Sequence, residues 1–381
     1  MSKKDASLAP VPPTAMTIAL SPLAGLVLLV FLLSGLIACT WTFLRDEHIR
    51  WLPEQVTWQR VWDGEVTRHI AKQLSNVWLP RQAARLERAA TWLTLGDTGE
   101  RVRRGCEGWL FLNDENLIYP NATANAETRA AKVRDVQRWL AKQNIALLVV
   151  VVPDKSRIAA EQRCALVRPS EFNERVSQWQ ASLMDASVNV LDLALVLQPL
   201  GGGAFLRSDT HWSEQGAQAA AMSVAGQVAE MAITPTPSQR WERRDEAPQI
   251  RSGDLIRLAG LDWLPVSLQP VPDVLVPSAF VALEAPAATL EDDLFGDTQL
   301  PNVALIGTSF SRHSNFVGYL EQALEARIGN FARDGGAFAG AAADYFASAA
   351  FKQTPPHLII WEIPERDLQA PYTDELLLPT L

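Results

Sequence analysis

Cysteine and basic charge are both scarce in this 381-residue chain. Its three cysteines, Cys39, Cys106 and Cys164, are too few for a disulfide scaffold or a four-thiolate zinc site. Its 34 basic residues are outnumbered by 43 acidic ones, and a net charge of -9 disfavours a nucleic-acid partner, which requires a basic face. Apolar residues make up 48% of the chain, so we expect an ordinary globular protein with one large domain or two.

One long apolar run stands out near the N-terminus. Residues 17–39 are uncharged and numerous enough to cross the hydrocarbon core of a bilayer as a single helix. We predict a transmembrane anchor there. A cleaved signal peptide is the nearest alternative, because residues 36–39 resemble a lipoprotein processing site, and a buried core helix is another. If the bulk of the chain lies in an oxidising compartment, Cys106 and Cys164 can pair; two separate buried thiols are the other interpretation.

The pattern of the sequence divides the chain into four predicted regions. Residues 1–16 are a Pro-rich polar tail with nothing to bury, and residues 17–40 are the anchor. Residues 41–104 have an amphipathic helical pattern, interrupted at Pro53 and Pro80, which is typical of a stalk. Residues 105–381 form the main domain. Within it, proline recurs over 233–300 without a long helical pattern, and we interpret this stretch as an irregular insertion over one end of a sheet.

Strand and helix patterns alternate in the main domain. Residues 145–152 (IALLVVVV) are a continuous apolar run, which is typical of a strand buried on both faces of a parallel sheet. Further strands are predicted at 109–112, 188–191, 303–306 and 358–361, and helices at 128–143, 170–185, 213–231 and 316–328. This alternation predicts an α/β layered domain with a mostly parallel sheet.

A nucleophile candidate follows the strand predicted at 303–306. Gly307 allows a tight turn that lifts the Ser309 hydroxyl to the strand end, close to backbone amides that can stabilise an oxyanion. A Gly-Thr-Ser turn that merely caps a helix is the alternative. The sequence Gly307-Thr308-Ser309-Phe310-Ser311 lacks the second glycine of an α/β-hydrolase elbow. In that fold the histidine follows the serine, whereas the best Asp-His pair here lies about a hundred residues before it, so that fold is disfavoured.

A base candidate precedes the helix predicted at 213–231. Asp209 and His211 are two residues apart on an extended segment, so their side chains project to the same side, and the carboxylate can orient the imidazole. No third ligand accompanies them at usable spacing, and we predict neither a metal nor a cofactor. Lys155 and Arg157 follow the strand at 145–152, where they can bind an acidic or polar substrate or simply be solvated.

Together these segments resemble the AlgJ/AlgX family of SGNH-hydrolase-like polysaccharide O-acetyltransferases. The similar segments are Gly108-Trp109-Leu110-Phe111, Val152-Pro153-Asp154-Lys155, Phe205-Leu206-Arg207-Ser208-Asp209-Thr210-His211-Trp212, Ala304-Leu305-Ile306-Gly307-Thr308-Ser309-Phe310-Ser311 and Ile360-Trp361-Glu362-Ile363-Pro364-Glu365-Arg366. The resemblance implies a circularly permuted SGNH-hydrolase-like fold in the periplasm, tethered to the inner membrane by the N-terminal helix. It also implies a membrane-bound O-acyltransferase partner that supplies acetyl groups, other subunits of a polymer synthesis complex, and an exopolysaccharide acceptor, alginate or cellulose.

Site residues carried over by this resemblance are Ser309 as nucleophile, His211 as base and Asp209 as its orienting carboxylate. The amides after Gly307 are expected to hold the oxyanion, with the Asn315 side chain as a further donor. Two other functions stay open at this point. Water can replace the sugar as acceptor, which makes the protein a carbohydrate acetylesterase, or the fold can serve as a non-catalytic scaffold of a secretion complex.

Overall fold

The computed structural model describes residues 21–45, 50–283, 300–371 and 376–378. The chain separates into two compact units, Met1–Glu87 and Arg88–Leu381. The predicted tail at 1–16 lies outside the described residues, and so does the stretch 284–299 of the predicted insertion.

The first unit is mainly helical where it is described. Helix α1, Pro22–Arg45, begins after Ser21, whose hydroxyl accepts a hydrogen bond from the Ala24 amide at 3.3 Å. Among the described residues, the Pro22–Thr42 stretch is the one helical segment long and apolar enough to cross a membrane. Two shorter helices follow, α2 (Trp58–Trp62) and α3 (Glu65–Ser75), and α4 (Trp78–Leu95) begins in this unit.

The second unit contains the strands. In chain order they are β1 (Val102–Arg104), β2 (Leu110–Leu112), β3 (Ala146–Val152), β4 (Asn189–Asp192), β5 (Trp241–Asp245), β6 (Gln249–Arg251), β7 (Asp273–Leu275), β8 (Ser278–Ala282), β9 (Val303–Ile306), β10 (Gly329–Asn330) and β11 (Leu358–Pro364). Five of them form a central sheet in the order β10–β9–β11–β3–β4, and all its neighbouring strands are parallel. The predicted parallel α/β sheet is therefore confirmed.

Helices cover both faces of this sheet. They are α5 (Ala122–Ala141), α6 (Lys155–Ile158), α7 (Arg175–Ala181), α8 (Ala194–Leu197), α9 (Glu214–Glu230), α11 (Phe316–Leu324), α12 (Gly340–Ala347) and α13 (Ala349–Gln353), whereas α10 (Asp254–Leu258) packs with β1 and β2 in a separate cluster. Alternate side chains of β3 enter two hydrophobic clusters: Leu147, Val149 and Val151 pack with residues of α5, α7 and α12, and the intervening residues pack with α9 and α11. Because both faces of β3 are buried, its sequence is a continuous apolar run instead of an alternating one.

Two predicted helices differ from those in the structure. The helix expected at 170–185 is divided into a 3₁₀ turn at Ser170–Phe172, then α7, then a second 3₁₀ turn at Met184–Ala186. Serine hydroxyls compete for its backbone carbonyls, and the Ser182 hydroxyl donates to the Trp179 carbonyl at 2.6 Å. The helix expected at 316–328 ends at Leu324, because Glu325 takes a left-handed conformation (φ 48°) and the chain then enters β10.

The predicted insertion contains short elements within its described part. Strands β5 and β8 form one antiparallel ribbon, β6 and β7 form another, and the single-turn helix α10 lies between β6 and β7 in the chain. Arg251 ends β6 and Asp254 begins α10, and both line the cavity that also contains Ser309 and His211.

A disulfide joins Cys106 to Cys164, 58 residues apart. It links the segment before β2 to the loop that follows α6. Of the two interpretations that the sequence left open for these cysteines, the structure contains the pair, while Cys39 in α1 is a free thiol.

Candidate active site

Ser309 lies at the carboxyl end of β9. Gly307 follows the strand, and Thr308 caps the 3₁₀ turn Ser309–Arg312 by accepting a hydrogen bond from a backbone amide of that turn at 3.3 Å. A Cβ atom at position 307 would lie 2.5 Å from the Glu362 carboxylate, so only glycine fits where the strand turns. The turn leaves the Ser309 side chain half-buried at the strand end.

Asp209 and His211 lie in a tight loop just before α9. An antiparallel bridge between Phe205 and Trp212 closes the loop, and the Leu206 amide donates to the His211 carbonyl at 3.1 Å. The Asp209 carboxylate accepts a hydrogen bond from the His211 amide at 3.0 Å. This bond holds the carboxylate beside the imidazole of the same loop.

The two segments meet in a continuous chain of hydrogen bonds. Ser309 Oγ is 2.7 Å from His211 Nε2, and His211 Nδ1 is 2.6 Å from Asp209 Oδ1. Asp209 and His211 are 2% and 4% exposed, so water is largely excluded from the second of these bonds. With Nδ1 donating to the carboxylate, Nε2 is free to accept the proton of the Ser309 hydroxyl, which is the arrangement that activates a serine nucleophile.

Asp209 is held in its ionised form by three neighbours. Burial alone raises the pKa of its carboxyl, but the hydrogen bond and charge of His211, with the charge of Arg251, bring that pKa well below its ordinary value. Its outer oxygen, Oδ2, accepts from the Asp254 amide at 3.2 Å and lies 3.4 Å from Arg251 Nη2. Both of these residues lie in the stretch predicted as an insertion, and no motif in the sequence indicated them.

A second histidine, His313, stacks on His211. Their ring centroids are 4.1 Å apart with an angle of 28° between the planes. Arg251 Nη2 lies 3.0 Å from His313 Nδ1, and because arginine only donates, that nitrogen must accept. Burial, then the charges of His211 and Arg251, lower the pKa of His313 to about 4. His313 is therefore a neutral imidazole at physiological pH. Sequence reasoning missed it, although it lies only four residues after Ser309 in the chain.

Ser309 and His211 open into a cavity of about 550 Å³. Its charged wall residues are Asp209, Asp254, Asp262, Asp334, Arg251 and Arg257. A cavity of this size is in the ordinary range for ligand sites, and its mixed charges and hydrogen-bonding groups suit a polar ligand.

Metal binding at the same place would compete with the serine chemistry. Within the described parts of the chain, Asp209, His211 and Asp254 form a group whose ligand atoms all lie within 4.8 Å of one another. Both ring nitrogens of His211 are already engaged, Nδ1 by Asp209 and Nε2 by Ser309. An ion coordinated by His211 would have to displace one of these hydrogen bonds, so the group can serve as a metal site or as a triad, and its geometry suits the triad.

The other predicted site residues lie away from the cavity wall. Lys155 is buried and donates to three backbone carbonyls, and Arg157 forms ion pairs with Glu365 at 3.3 Å and Asp192 at 3.8 Å. The Asn315 amide donates to Glu214 at 2.9 Å. Of the predicted site residues, the fold therefore brings the side chains of Ser309, His211 and Asp209 together at the cavity, with Gly307 next to them, and Lys155 contacts this group only at the backbone of Asp209.

A parallel sheet between helices, with a Ser-His-Asp chain of hydrogen bonds beyond the end of one strand, is the arrangement found in the α/β class of serine hydrolases and acyltransferases. Residues 102–365 match the family described as SGNH hydrolase-like domain, acetyltransferase AlgX, and the chain belongs to this family. The fold and the family predicted from the sequence are thereby confirmed.

Two probable alginate O-acetylases and one solved O-acetyltransferase domain are similar to this chain. The chain is 34% identical over 289 residues to the probable alginate O-acetylase AlgJ of Azotobacter vinelandii, an alignment that covers 74% of each protein. It is 33% identical over 273 residues to the probable alginate O-acetylase AlgJ of Pseudomonas aeruginosa, covering 69% of each. The solved O-acetyltransferase domain of Pseudomonas putida AlgJ is similar with a TM-score of 0.62 and 29% identity, over 71% of this chain and 93% of that domain.

Proposed function

We propose that this chain is an exopolysaccharide O-acetyltransferase that works through an acetyl-Ser309 intermediate, with alginate as the favoured acceptor and cellulose as the alternative. The observation that carries the proposal is the continuous hydrogen-bond chain from Ser309 Oγ through His211 to Asp209. Membership of the AlgX acetyltransferase family supports acetyl transfer as the reaction, and the names of the AlgJ relatives favour alginate as the polymer.

The first half-reaction transfers the acetyl group to the enzyme. Ser309 Oγ attacks the carbonyl carbon of an acetyl ester while His211 Nε2 accepts the hydroxyl proton. The amide of Ser309 begins its 3₁₀ turn, so it has no acceptor within the turn and can donate to the oxyanion of the tetrahedral intermediate. As the intermediate collapses, the imidazolium protonates the departing alkoxide. Asn315 stays a predicted second donor, and it would first have to release Glu214.

The second half-reaction transfers the acetyl group to the polymer. A sugar hydroxyl enters the cavity and gives its proton to His211 as its oxygen attacks the acetyl-Ser309 carbonyl. Collapse returns the proton to Ser309 Oγ and releases the acetylated sugar. Water in place of the sugar would give an esterase.

We further propose that the catalytic unit lies in the periplasm and is anchored to the inner membrane by α1, where a membrane-bound O-acyltransferase supplies acetyl groups. Two observations support this location. The Pro22–Thr42 segment is apolar and long enough to span. The disulfide between Cys106 and Cys164 is of a kind that persists in oxidising compartments. Fusions of a periplasm-dependent reporter after Leu381 test the orientation, and an inactive reporter would place this unit in the cytoplasm.

Ser309→Ala tests the catalytic proposal. The full-length variant, produced in cells that secrete the polymer, is expected to abolish acetylation while its level and its association with the other subunits stay normal. The surface variant Asp344→Asn, which breaks only an exposed pair with Arg333, serves as the matched control. Acetylation that survives Ser309→Ala would show that the fold acts as a scaffold.

A second measurement separates transferase from esterase. The purified wild-type protein is incubated with a chromogenic acetyl ester, with and without an oligosaccharide of the polymer. Mass spectrometry then measures the mass of the oligosaccharide. We expect an acetylated oligosaccharide and faster ester turnover when the sugar is present. Free acetate alone, with no mass gain on the sugar, would identify an acetylesterase.

A further inference from the structure

Two side chains of opposite charge, Lys155 and Glu362, are buried close to the reacting groups, and neither takes part in the proposed mechanism. Lys155 follows the end of β3, Glu362 belongs to β11, and these two strands are paired neighbours in the sheet. Each is 1% exposed. Burying a charge is costly unless every hydrogen-bonding atom of the group finds a partner, so each of these residues must have a structural or functional reason to be there.

We propose that Lys155 and Glu362 are positioning residues of the proposed acetyl transfer: Lys155 holds the loop of Asp209 and His211, and Glu362 holds the turn of Ser309. Together they set the distance between the serine hydroxyl and the imidazole. The inference rests on the proposed catalytic role of Ser309.

Lys155 connects the loop that contains Asp209 and His211 to strand β2 through hydrogen bonds. Its ammonium group donates to the carbonyl oxygens of Leu110 at 2.6 Å, Arg207 at 2.9 Å and Asp209 at 3.0 Å. An ammonium group has three protons, and each has an acceptor here, so none is left for a substrate. The rings of Trp109 and Phe111 lie 5.2 and 5.1 Å from the nitrogen and enclose it further. One of its acceptors is the backbone of Asp209 itself.

Glu362 holds the nucleophile's turn on both sides of Ser309. Its Oε2 accepts from the Thr308 amide at 2.6 Å and from the Ser311 hydroxyl at 3.0 Å, and the Thr308 hydroxyl lies 3.0 Å from each carboxylate oxygen. The side chain reaches the turn only because Gly307 has no Cβ. Burial raises the pKa of Glu362, and the hydrogen bonds from Thr308 and Ser311 oppose this. With several donors aimed at it, the carboxylate acts as a fixed acceptor for the turn.

Lys155 contacts the backbone of Asp209, and Glu362 contacts Thr308 and Ser311 on the two sides of Ser309. Loss of these contacts therefore displaces the reacting side chains. A misplacement of about 1 Å costs about a hundredfold in rate. Because neither side chain lines the cavity, binding of the acetyl donor is not affected directly. The expected signature is a fall in kcat with KM nearly unchanged.

The experiment uses full-length variants in detergent, with a chromogenic acetyl ester and active sites counted by covalent labelling of Ser309 with a sulfonyl fluoride. Glu362→Ala and Lys155→Met are expected to lower kcat per labelled site, and the labelling rate, by about a hundredfold with KM within about twofold. Glu362→Gln keeps an acceptor for the Thr308 amide and is expected to recover most of the loss. The control is Glu321→Gln. Glu321 is a half-buried residue of α11 whose carboxylate accepts a hydrogen bond from the Ile328 amide, and this variant should have the kcat, KM and labelling rate of the wild type.

Each outcome is decisive for one of the two proposals. Wild-type kcat and labelling rate in Glu362→Ala and Lys155→Met would overturn the positioning role while leaving the serine mechanism intact. Absence of labelling at Ser309 in the wild-type protein would instead refute the proposed function. If either variant fails to fold, Ser311→Ala and Lys155→Gln remove part of each contact; a loss of about threefold to tenfold in kcat per site supports the proposal, and no loss overturns it.

Discussion

Replacing Asp209 with asparagine tests the electrostatics of the site most directly, because both oxygens of this carboxylate face donors. Oδ1 faces the imidazole and the amide of His211, and Oδ2 faces the Asp254 amide and Arg251. An asparagine NH₂ group placed at the Oδ2 position would confront those last two donors. Placed at the Oδ1 position it would confront the His211 amide and force Nδ1 to accept, which puts the ring proton on Nε2.

In the second placement the ring proton is on Nε2, so the imidazole cannot take the proton of Ser309. The positive charge that forms on His211 during the reaction also loses its counter-charge. We therefore expect Asp209→Asn to lower kcat about 10³- to 10⁴-fold, which corresponds to about 4 to 5.5 kcal/mol at about 1.4 kcal/mol per factor of ten. The backbone bonds that close the loop are unaffected, so the fold should persist.

The assay is steady-state hydrolysis or transfer of a chromogenic acetyl ester by the full-length protein, with Asp344→Asn as the control for the loss of one surface carboxylate. Circular dichroism and the thermal midpoint verify folding. If folded Asp209→Asn retains activity within about tenfold of wild type, the Asp209–His211 bond does not orient the base, and the proposed mechanism would be refuted.

Two further predictions concern stability. His313 has its pKa lowered from 6.5 to about 4, so between these pH values the unfolded chain binds a proton that the folded chain does not; stability should fall as pH falls through this window. Urea titrations at pH 7 and pH 5 measure this, and His313→Gln should show a smaller loss between the two; an equal loss in both proteins would contradict it. The disulfide closes a segment of 58 residues, for which chain entropy predicts about 4 kcal/mol of stabilisation. The double variant Cys106→Ser, Cys164→Ser should lower the free energy of unfolding by about 2 to 4 kcal/mol in urea titration, whereas Cys39→Ser should not change it; equal stability of the double variant and wild type would refute the estimate.

Much of the central sheet was predictable from local pattern. Strand β9 was predicted with its observed bounds, and β3 and β11 were predicted within a few residues, because a strand buried on both faces needs an unbroken apolar run. The short helices around α7 were not, since the hydroxyls of Ser177 and Ser182 donate to backbone carbonyls of the segment and periodicity does not register such bonds.

The reacting residues were also accessible to sequence reasoning, each for a local reason. Asp209 and His211 are two residues apart, and Ser309 follows a buried strand and a glycine. The role of Lys155 was not accessible in the same way. A lysine after a strand suggests a substrate ligand, but its ammonium group is satisfied by three carbonyls from two other segments of the chain.

What the sequence by itself determined is therefore the layered α/β architecture, the apolar N-terminal helix and the identity of the three groups in the hydrogen-bond chain. Each of these follows from local patterns in the chain, and the three groups come from two short segments. Tertiary structure alone decided that Arg251 and the Asp254 amide face Asp209, that His313 stacks on His211, and that Glu362 holds the turn of Ser309. The partners of the stacked histidine pair lie about a hundred residues apart in the chain. In the other contacts, the partners lie about 40 to 55 residues apart. Such distances are closed only when the whole sheet packs, because no hydrophobic period or short motif encodes the register of one loop against another.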